Sequence, residues 1–151
     1  MGDFHALIVK DNCKIQPKTG KTCMKFTYKL DKPKIFGWVG VCWQYPANNW
    51  GNIPCALNLS GAKKLTFHAR GEKGGEVITF KFGGNYGPYS DTTEIILGPV
   101  KLTKEWKKYT IELKNEDLSF ISCGFSWIIN RYEQSTNDKE ITFYIDDIKI
   151  E

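Results

Sequence analysis

Along most of this chain apolar and polar positions alternate with a period of two, the repeat of a strand with one face in a core and one in water. Residues 22–30 put Met24, Phe26, Tyr28 and Leu30 on one side and Lys25, Thr27 and Lys29 on the other. Segments 65–70, 77–82 and 107–113 obey the same rule. They turn in Leu65, Phe67 and Ala69, then Ile78, Phe80 and Phe82, then Tyr109, Ile111 and Leu113. Further strands are predicted over 38–44, 121–130 and 141–150. Turn residues separate the runs: Ser60-Gly61, Gly71 with Gly74-Gly75, Gly83-Gly84, Gly98-Pro99, Asn115 to Asp117 and Ser135 to Asp138. No 3.6-residue repeat persists, so helical crossovers are not expected. The pattern predicts an all-β fold, a two-sheet antiparallel β-sandwich of the jelly-roll kind. At 151 residues, without repeat, linker or low-complexity segment, the chain is one domain with one core.

The last strand is irregular. Ile141, Phe143 and Ile145 share a face, but after Asp146-Asp147 the apolar positions become Ile148 and Ile150. A bulge at the two aspartates would return both sets to the core.

Charge narrows the partners. A net +4 comes mostly from single lysines such as Lys25, Lys29, Lys81 and Lys107, the pattern of solvated faces and protected edges. The cluster Lys104, Lys107, Lys108 is too small for a nucleic-acid track, so no nucleic-acid partner is expected. No apolar run reaches the ~18 residues of a membrane span. Met1 to His5 lacks the charged-then-apolar order of a signal peptide, so the chain either begins after processing or is not exported by that route.

Of the five cysteines, Cys13 and Cys23 flank the polar loop Lys14 to Thr22. That loop is able to return on itself and close a disulfide, stabilising by about 2.5–3 kcal/mol; two unpaired thiols of a reduced protein are the alternative. Cys42 and Cys123 sit in apolar strand patterns and read as small buried hydrophobes. The pairing of Cys42, Cys55 and Cys123 is open, and the odd count leaves at least one free thiol. The balance favours an extracellular or secreted setting.

Three segments carry a resemblance: Leu59 to Arg70, Leu102 to Leu113, and the closing Phe143-Tyr-Ile-Asp-Asp-Ile-Lys-Ile150. In their order and spacing, over roughly residues 20 to 151, they resemble jelly-roll carbohydrate-binding modules with the galactose-binding-like fold. The resemblance implies non-catalytic binding of a polysaccharide or oligosaccharide. It also implies a structural calcium between the N-terminal segment and the last strand, with Asp146 at the matching carboxylate and Asp3 as its N-terminal partner. Calcium takes six to eight oxygens, many of them carbonyls invisible in sequence. Solvation of a bulge is the other reading of Asp146 and Asp147.

Sugars present hydroxyls and axial C–H faces, so their sites need open aromatic rings beside planar polar groups. Trp, Tyr and Phe make up 14% of the chain, and Gly37 to Gly51 concentrates them. Alternation sends Val39, Val41 and Trp43 inward and Trp38 and Gln44 outward. The loop beyond carries Trp50 among asparagines, and a second loop, Asn85 to Asp91, carries Tyr86 and Tyr89. His68 and Arg70 share the outward face of their strand, where Arg70 offers a donor fork, or else pairs with Glu72 or Glu76. Ser122, Gly124 and Ser126 form a small-residue stripe suited to a groove floor, with Trp127 in the core. Asn130 and Tyr132 follow at the strand's end. The candidate ligand set is Trp38, Gln44, Trp50, His68, Arg70, Tyr86, Tyr89 and Asn130.

Catalysis finds little support. Glycoside cleavage needs two facing carboxylates, whereas Glu72, Glu76, Glu116 and Asp117 lie in turns, and Glu94 and Glu112 lack evident partners. His5 and His68 are the only histidines. The expected function is non-catalytic carbohydrate binding, perched on a larger glycan-active protein. An extracellular structural or adhesive module is the alternative, and a degenerate jelly-roll hydrolase the third reading.

Overall fold

A computed structural model describes residues 1–33, 35–135 and 137–151. Nine strands form there: β1 (Leu7–Cys13), β2 (Cys23–Lys29), β3 (Trp38–Gln44), β4 (Lys64–Gly71), β5 (Val77–Gly83), β6 (Glu94–Lys101), β7 (Lys107–Glu112), β8 (Cys123–Asn130) and β9 (Glu140–Ile150). The only helical pieces among the described residues are single 3₁₀ turns at Phe4–Ala6 and Arg131–Glu133. One sheet runs β1-β2-β9-β4-β7 and the other β3-β8-β5-β6, all neighbours antiparallel. This is the expected sandwich.

Between the sheets the alternating apolar sets interlock. Phe26, Phe143 and Trp127 meet with ring centroids 4.8 to 5.2 Å apart. Phe67 touches Phe80 and Phe125 at 4.6 and 4.9 Å. Trp43 packs on Phe125 at 5.2 Å, so it and the buried Trp127 belong to the core as predicted. Rings at these separations gain directional contacts beyond area burial.

Two strands escaped the sequence pattern, and both are edges. β1 leaves Ile8 and Val9 exposed, so alternation is weak there. Gly98-Pro99, read as a turn, lies inside β6. There the register slips between the pairs Ile78↔Val100 and Phe80↔Leu97. An edge strand tolerates a proline without a ladder N–H, and Gly98 at φ 138° suits the bulge.

The predicted bulge in β9 is present. Thr66 pairs with Lys149 and His68 with Asp146, three steps against two, with Asp147 at φ 54°. A second bulge corrects the stripe Ser122, Gly124, Ser126. Trp43 pairs with Phe125 but Gln44 with Cys123, so Gly124 is the extra residue. A Cβ on Gly124 would lie 3.8 Å from Ile150 Cδ1, on the interior side. Cys123 is thereby turned to the outer face, where it bonds Cys42 with Cα atoms 6.1 Å apart.

That disulfide corrects two readings. Cys42 and Cys123 are bonded, not unpaired hydrophobes, and Cys13 and Cys23 are free. The last two do face each other across β1 and β2, but the Cys23 thiol points to the carbonyl oxygens of Cys13 and Ile15 at 3.6 and 3.8 Å. Burial, then the neighbouring Cys13, pushes its pKa up to about 11, so it packs as a quiet thiol beside Tyr144 and Trp106.

Candidate functional site

The outer face of the four-stranded sheet follows from its register. Trp38 pairs with Asn130 at one end, Gly40 with Ile128 and Cys42 with Ser126 in the middle, and Gln44 with Cys123 at the other end. Lys81 lies beside Ser126 on one side and Ile96 on the other. The floor is low at Ser126 and the disulfide, while at Gly40 the Met1 and Ile128 side chains fill the space, 3.1 and 3.2 Å from where a Cβ would lie. Gln44 stands at its edge with a buried side-chain Nε2 that has no hydrogen-bond partner. A buried amide donor left unmade is costly unless something comes to accept from it.

Because β3 and β5 both run antiparallel to β8, their following loops, 45–56 and 84–93, emerge at the same end. They are bound to each other and to β8. Asn85 Nδ2 donates to Asn49 O and Ser122 Oγ at 2.9 and 2.8 Å, and Tyr89 N donates to Gly51 O at 2.9 Å. The Asp91 carboxylate accepts from the backbone of Asn85, Ser122 and Cys123. Inside the first loop, buried Asn49 accepts from Gly51 N and Ile53 N and donates to Cys55 O. Gly51 and Gly87 meet so closely that a Cβ on Gly51 would sit 2.6 Å from Tyr86 O. Polar backbone contacts thus carry the loop packing, and the rings stay outside: Trp50 is 47% exposed, Tyr86 72% and Tyr89 43%.

Glu94, a carboxylate without an evident partner in the sequence, has two in the structure. Its carboxylate takes the Tyr86 hydroxyl and the Lys81 ammonium, fixing the Tyr86 ring over the face. Burial opposes ionisation of Glu94, but Lys81 and Tyr86 outweigh it and hold the pKa low; the same bond raises that of Tyr86. At the other end Trp38 is half-buried, with Gly2 packed on its indole, and Asn130 Oδ1 accepts from Tyr132 N at 3.0 Å. Tyr132 lies over Gly37, where a Cβ would be 2.8 Å from the ring.

The remaining two candidates lie elsewhere. His68 and Arg70 do share an outward strand face, but it belongs to the five-stranded sheet, on the opposite side of the molecule. Arg70 is only 4% exposed. Its guanidinium stacks 3.8 Å over Tyr144 and 5.3 Å from Trp106, and donates to Ile15 O at 3.2 Å. It is packing, not an open donor fork, and it pairs with neither Glu72 nor Glu76; Glu72 accepts from Tyr144 instead. His68 Nδ1 stands 3.5 Å from Asp147 Oδ2 without an aligned hydrogen bond. Burial, then the Lys18 charge, lowers its pKa.

Asp3 and Asp146 do not fit a shared calcium. Both oxygens of buried Asp3 are taken: Oδ1 by Ile35 N and Phe36 N at 2.9 and 3.1 Å, Oδ2 by Gly37 N and Tyr28 Oη at 2.9 and 3.0 Å. Burial alone would raise its pKa, but these donors win and bring it to about 2. Asp146 accepts from Lys18 N and Thr19 N at 2.9 and 3.2 Å and from Asp147 N at 2.8 Å. Asp3 is bound by Tyr28, whereas Asp146 follows Ile145, the partner of Met24; roughly 13 Å of strand lies between Tyr28 and Met24. Among the described residues no group of three or more His, Cys, Asp or Glu is arranged for a metal.

Residues 7–151 match the model of the family described as carbohydrate binding domain 30. Among solved structures, the chain is similar to a family 11 carbohydrate-binding module from Clostridium thermocellum in complex with a β-1,3-1,4-mixed-linked tetrasaccharide. The TM-score is 0.61 at 15% identity, over 95% of this chain and 81% of that one. It is also similar to the family 30 carbohydrate-binding module of a cellulosomal cellulase of Clostridium thermocellum, with TM-score 0.57 at 19% identity over 97% and 82% of the two chains. At such identities the likeness is one of fold. No curated protein sequence matches.

Proposed function

This chain belongs to the carbohydrate binding domain 30 family, and from that premise we propose that it takes its glycan on the outer face of the four-stranded sheet. Carbohydrate binding itself follows from the family; the choice of face rests on where rings stay open. Trp50, Tyr86 and Tyr89 stand exposed over one end of a floor of small side chains. The observation that carries the reading is this group of open rings; Gln44, whose Nε2 has no partner, ends the strand that leads into the Trp50 loop. A sugar ring stacked on Trp50 or Tyr86 would bring hydroxyl oxygens to that donor, with Lys81 and Asn130 further along the floor. Glu94 serves by positioning Tyr86.

The family 11 relative holds a β-1,3-1,4-mixed-linked tetrasaccharide, so that oligosaccharide is the first ligand to test. We also read the chain as an extracellular module carried by a larger glycan-active protein. The Cys42–Cys123 disulfide supports this, since such bonds persist in oxidising compartments. So does the family 30 relative, which is part of a cellulosomal cellulase.

Affinity electrophoresis in gels containing mixed-linked β-glucan tests the face. Trp50→Ala abolishes retardation while the melting temperature stays within about 2 °C of the parent, as expected for an exposed side chain. Full retardation by Trp50→Ala, Tyr86→Ala and Gln44→Ala alike would remove the assignment.

A further inference from the structure

The outer face of the four-stranded sheet has a second end. Six residue steps along β3 lead from Trp38 to Gln44, which puts roughly 20 Å between the two ends. At the Trp38 end, the rings of Phe36 and Trp38 lie with centroids 6.4 Å apart, and the Tyr132 ring covers Gly37, the residue between them in the chain. Phe36 is 60% exposed and Tyr132 83%. Rings gathered in this way form a patch open to a ligand, unlike apolar side chains scattered singly over a surface.

The backbone under these rings is fixed. The Asp3 carboxylate accepts from Phe36 N and Gly37 N at 3.1 and 2.9 Å, and Asp3 N donates to Trp38 O at 2.8 Å. Arg131 N donates to Gly37 O at 2.9 Å, which ties the 3₁₀ turn carrying Tyr132 to the same loop. Here too, polar backbone contacts carry the packing and the rings stay outside. A platform held in place before its ligand arrives loses little freedom on binding.

We propose that Phe36, Trp38 and Tyr132 are a second stacking platform of the same face, so that the site takes one long glucan chain laid along β3 and β8 in preference to short oligosaccharides. This inference rests on the glycan face proposed above and deepens it. Continuity favours a glycan here over a protein partner: Trp38 pairs with Asn130, and the outward positions from there to Gln44 lie on the same two strands. Between the ends, the Met1 and Ile128 side chains crowd Gly40. The C–H face of a sugar crosses such an apolar stretch without leaving a polar group unpaired. A chain that touches both platforms behaves as a bivalent ligand, because its second contact becomes intramolecular once the first has formed. A trisaccharide is too short to engage both, and draws nothing from the far rings.

Calorimetric titration of the whole chain with cellotriose and with soluble mixed-linked β-glucan tests the second platform. The ratio of polymer affinity to trisaccharide affinity should fall about tenfold or more in the Phe36→Ala/Tyr132→Ala double variant. Tyr132→Phe, which keeps the ring, should bind as the parent does. Should the double variant fold poorly, Tyr132→Ala alone is read for the same direction. An unchanged ratio in the alanine variants, or a ratio lowered as far by Tyr132→Phe as by Tyr132→Ala, would overturn the platform. Trp50→Ala keeps the two proposals apart. Polymer binding untouched by Trp50→Ala but lost on removing the far rings would remove the loop-end assignment, whereas the reverse would remove the far platform alone.

Discussion

Both outer faces of the sandwich carry aromatic rings beside polar groups, yet they use them differently. On the five-stranded face the segment around Ile15 to Thr19 folds down over the sheet. Tyr144 is fully buried, Arg70 is clamped on its ring, and the Trp106 indole N–H is tied to Gln16 O at 2.9 Å. The rings there are covered by the protein itself, although Arg70 Nε and His68 Nδ1 keep no hydrogen-bond partner. On the four-stranded face the loops lean on each other through asparagine and glycine backbone contacts, so Trp50, Tyr86 and Tyr89 stay in water and Gln44 keeps an unanswered donor. A ring beside an amide is thus no site by itself; what decides is whether the chain's own loop arrives first.

The strongest way to break this contrast is through the disulfide under the open face. Closing a loop of 81 residues is worth about 4.5 kcal/mol on the chain-entropy model. Reduction should lower the unfolding free energy read from urea melts by that amount and weaken glucan retention, since Cys42 and Cys123 form part of the floor. Next come two substitutions whose effects should cross. Arg70→Ala should cost about 2–3 kcal/mol of stability through lost cation–π and backbone contacts, with glucan affinity unchanged. Trp50→Ala should cost at least about 2 kcal/mol of binding with almost no change in stability. Calorimetry and denaturant melts on the same samples measure both.

A smaller effect separates Asp3 from a metal role. Its pKa, brought from 3.8 to about 2 in the fold, contributes about 2 kcal/mol that is present above pH 4 and lost as pH falls through 2. Asp3→Asn should therefore flatten acid unfolding across that window, read by circular dichroism. The smallest effect expected is none at all: a chelator should leave the melting temperature unchanged, because Asp3 and Asp146 already hold backbone donors.

Much of this was legible in the sequence. Alternation assigned the interior of seven strands and turned Trp38 and Gln44 outward, and the slipped period at Asp146-Asp147 marked a bulge that is there. The missed strands, β1 and β6, are edges with one hydrogen-bonded neighbour and little interior face to pattern. Alternation distinguishes inside from outside, but not one outer face from the other. Arg70 was therefore grouped with Gln44 although a whole sandwich lies between them. The Cys42–Cys123 bond depends on a bulge at Gly124 that a glycine between two strand residues only hints at. The fate of Asp3 depends on three backbone N–H groups some thirty residues away, and side-chain types carry no trace of them.

A crystal structure of the chain with a β-1,3-1,4-mixed-linked tetrasaccharide would bear most directly on which surface meets the glycan. Sugar rings should lie against Trp50 or Tyr86, with a hydroxyl accepting from Gln44 Nε2. Saccharide seated instead over Trp106 and Arg70, with the loops at 45–56 and 84–93 bare, would contradict the account.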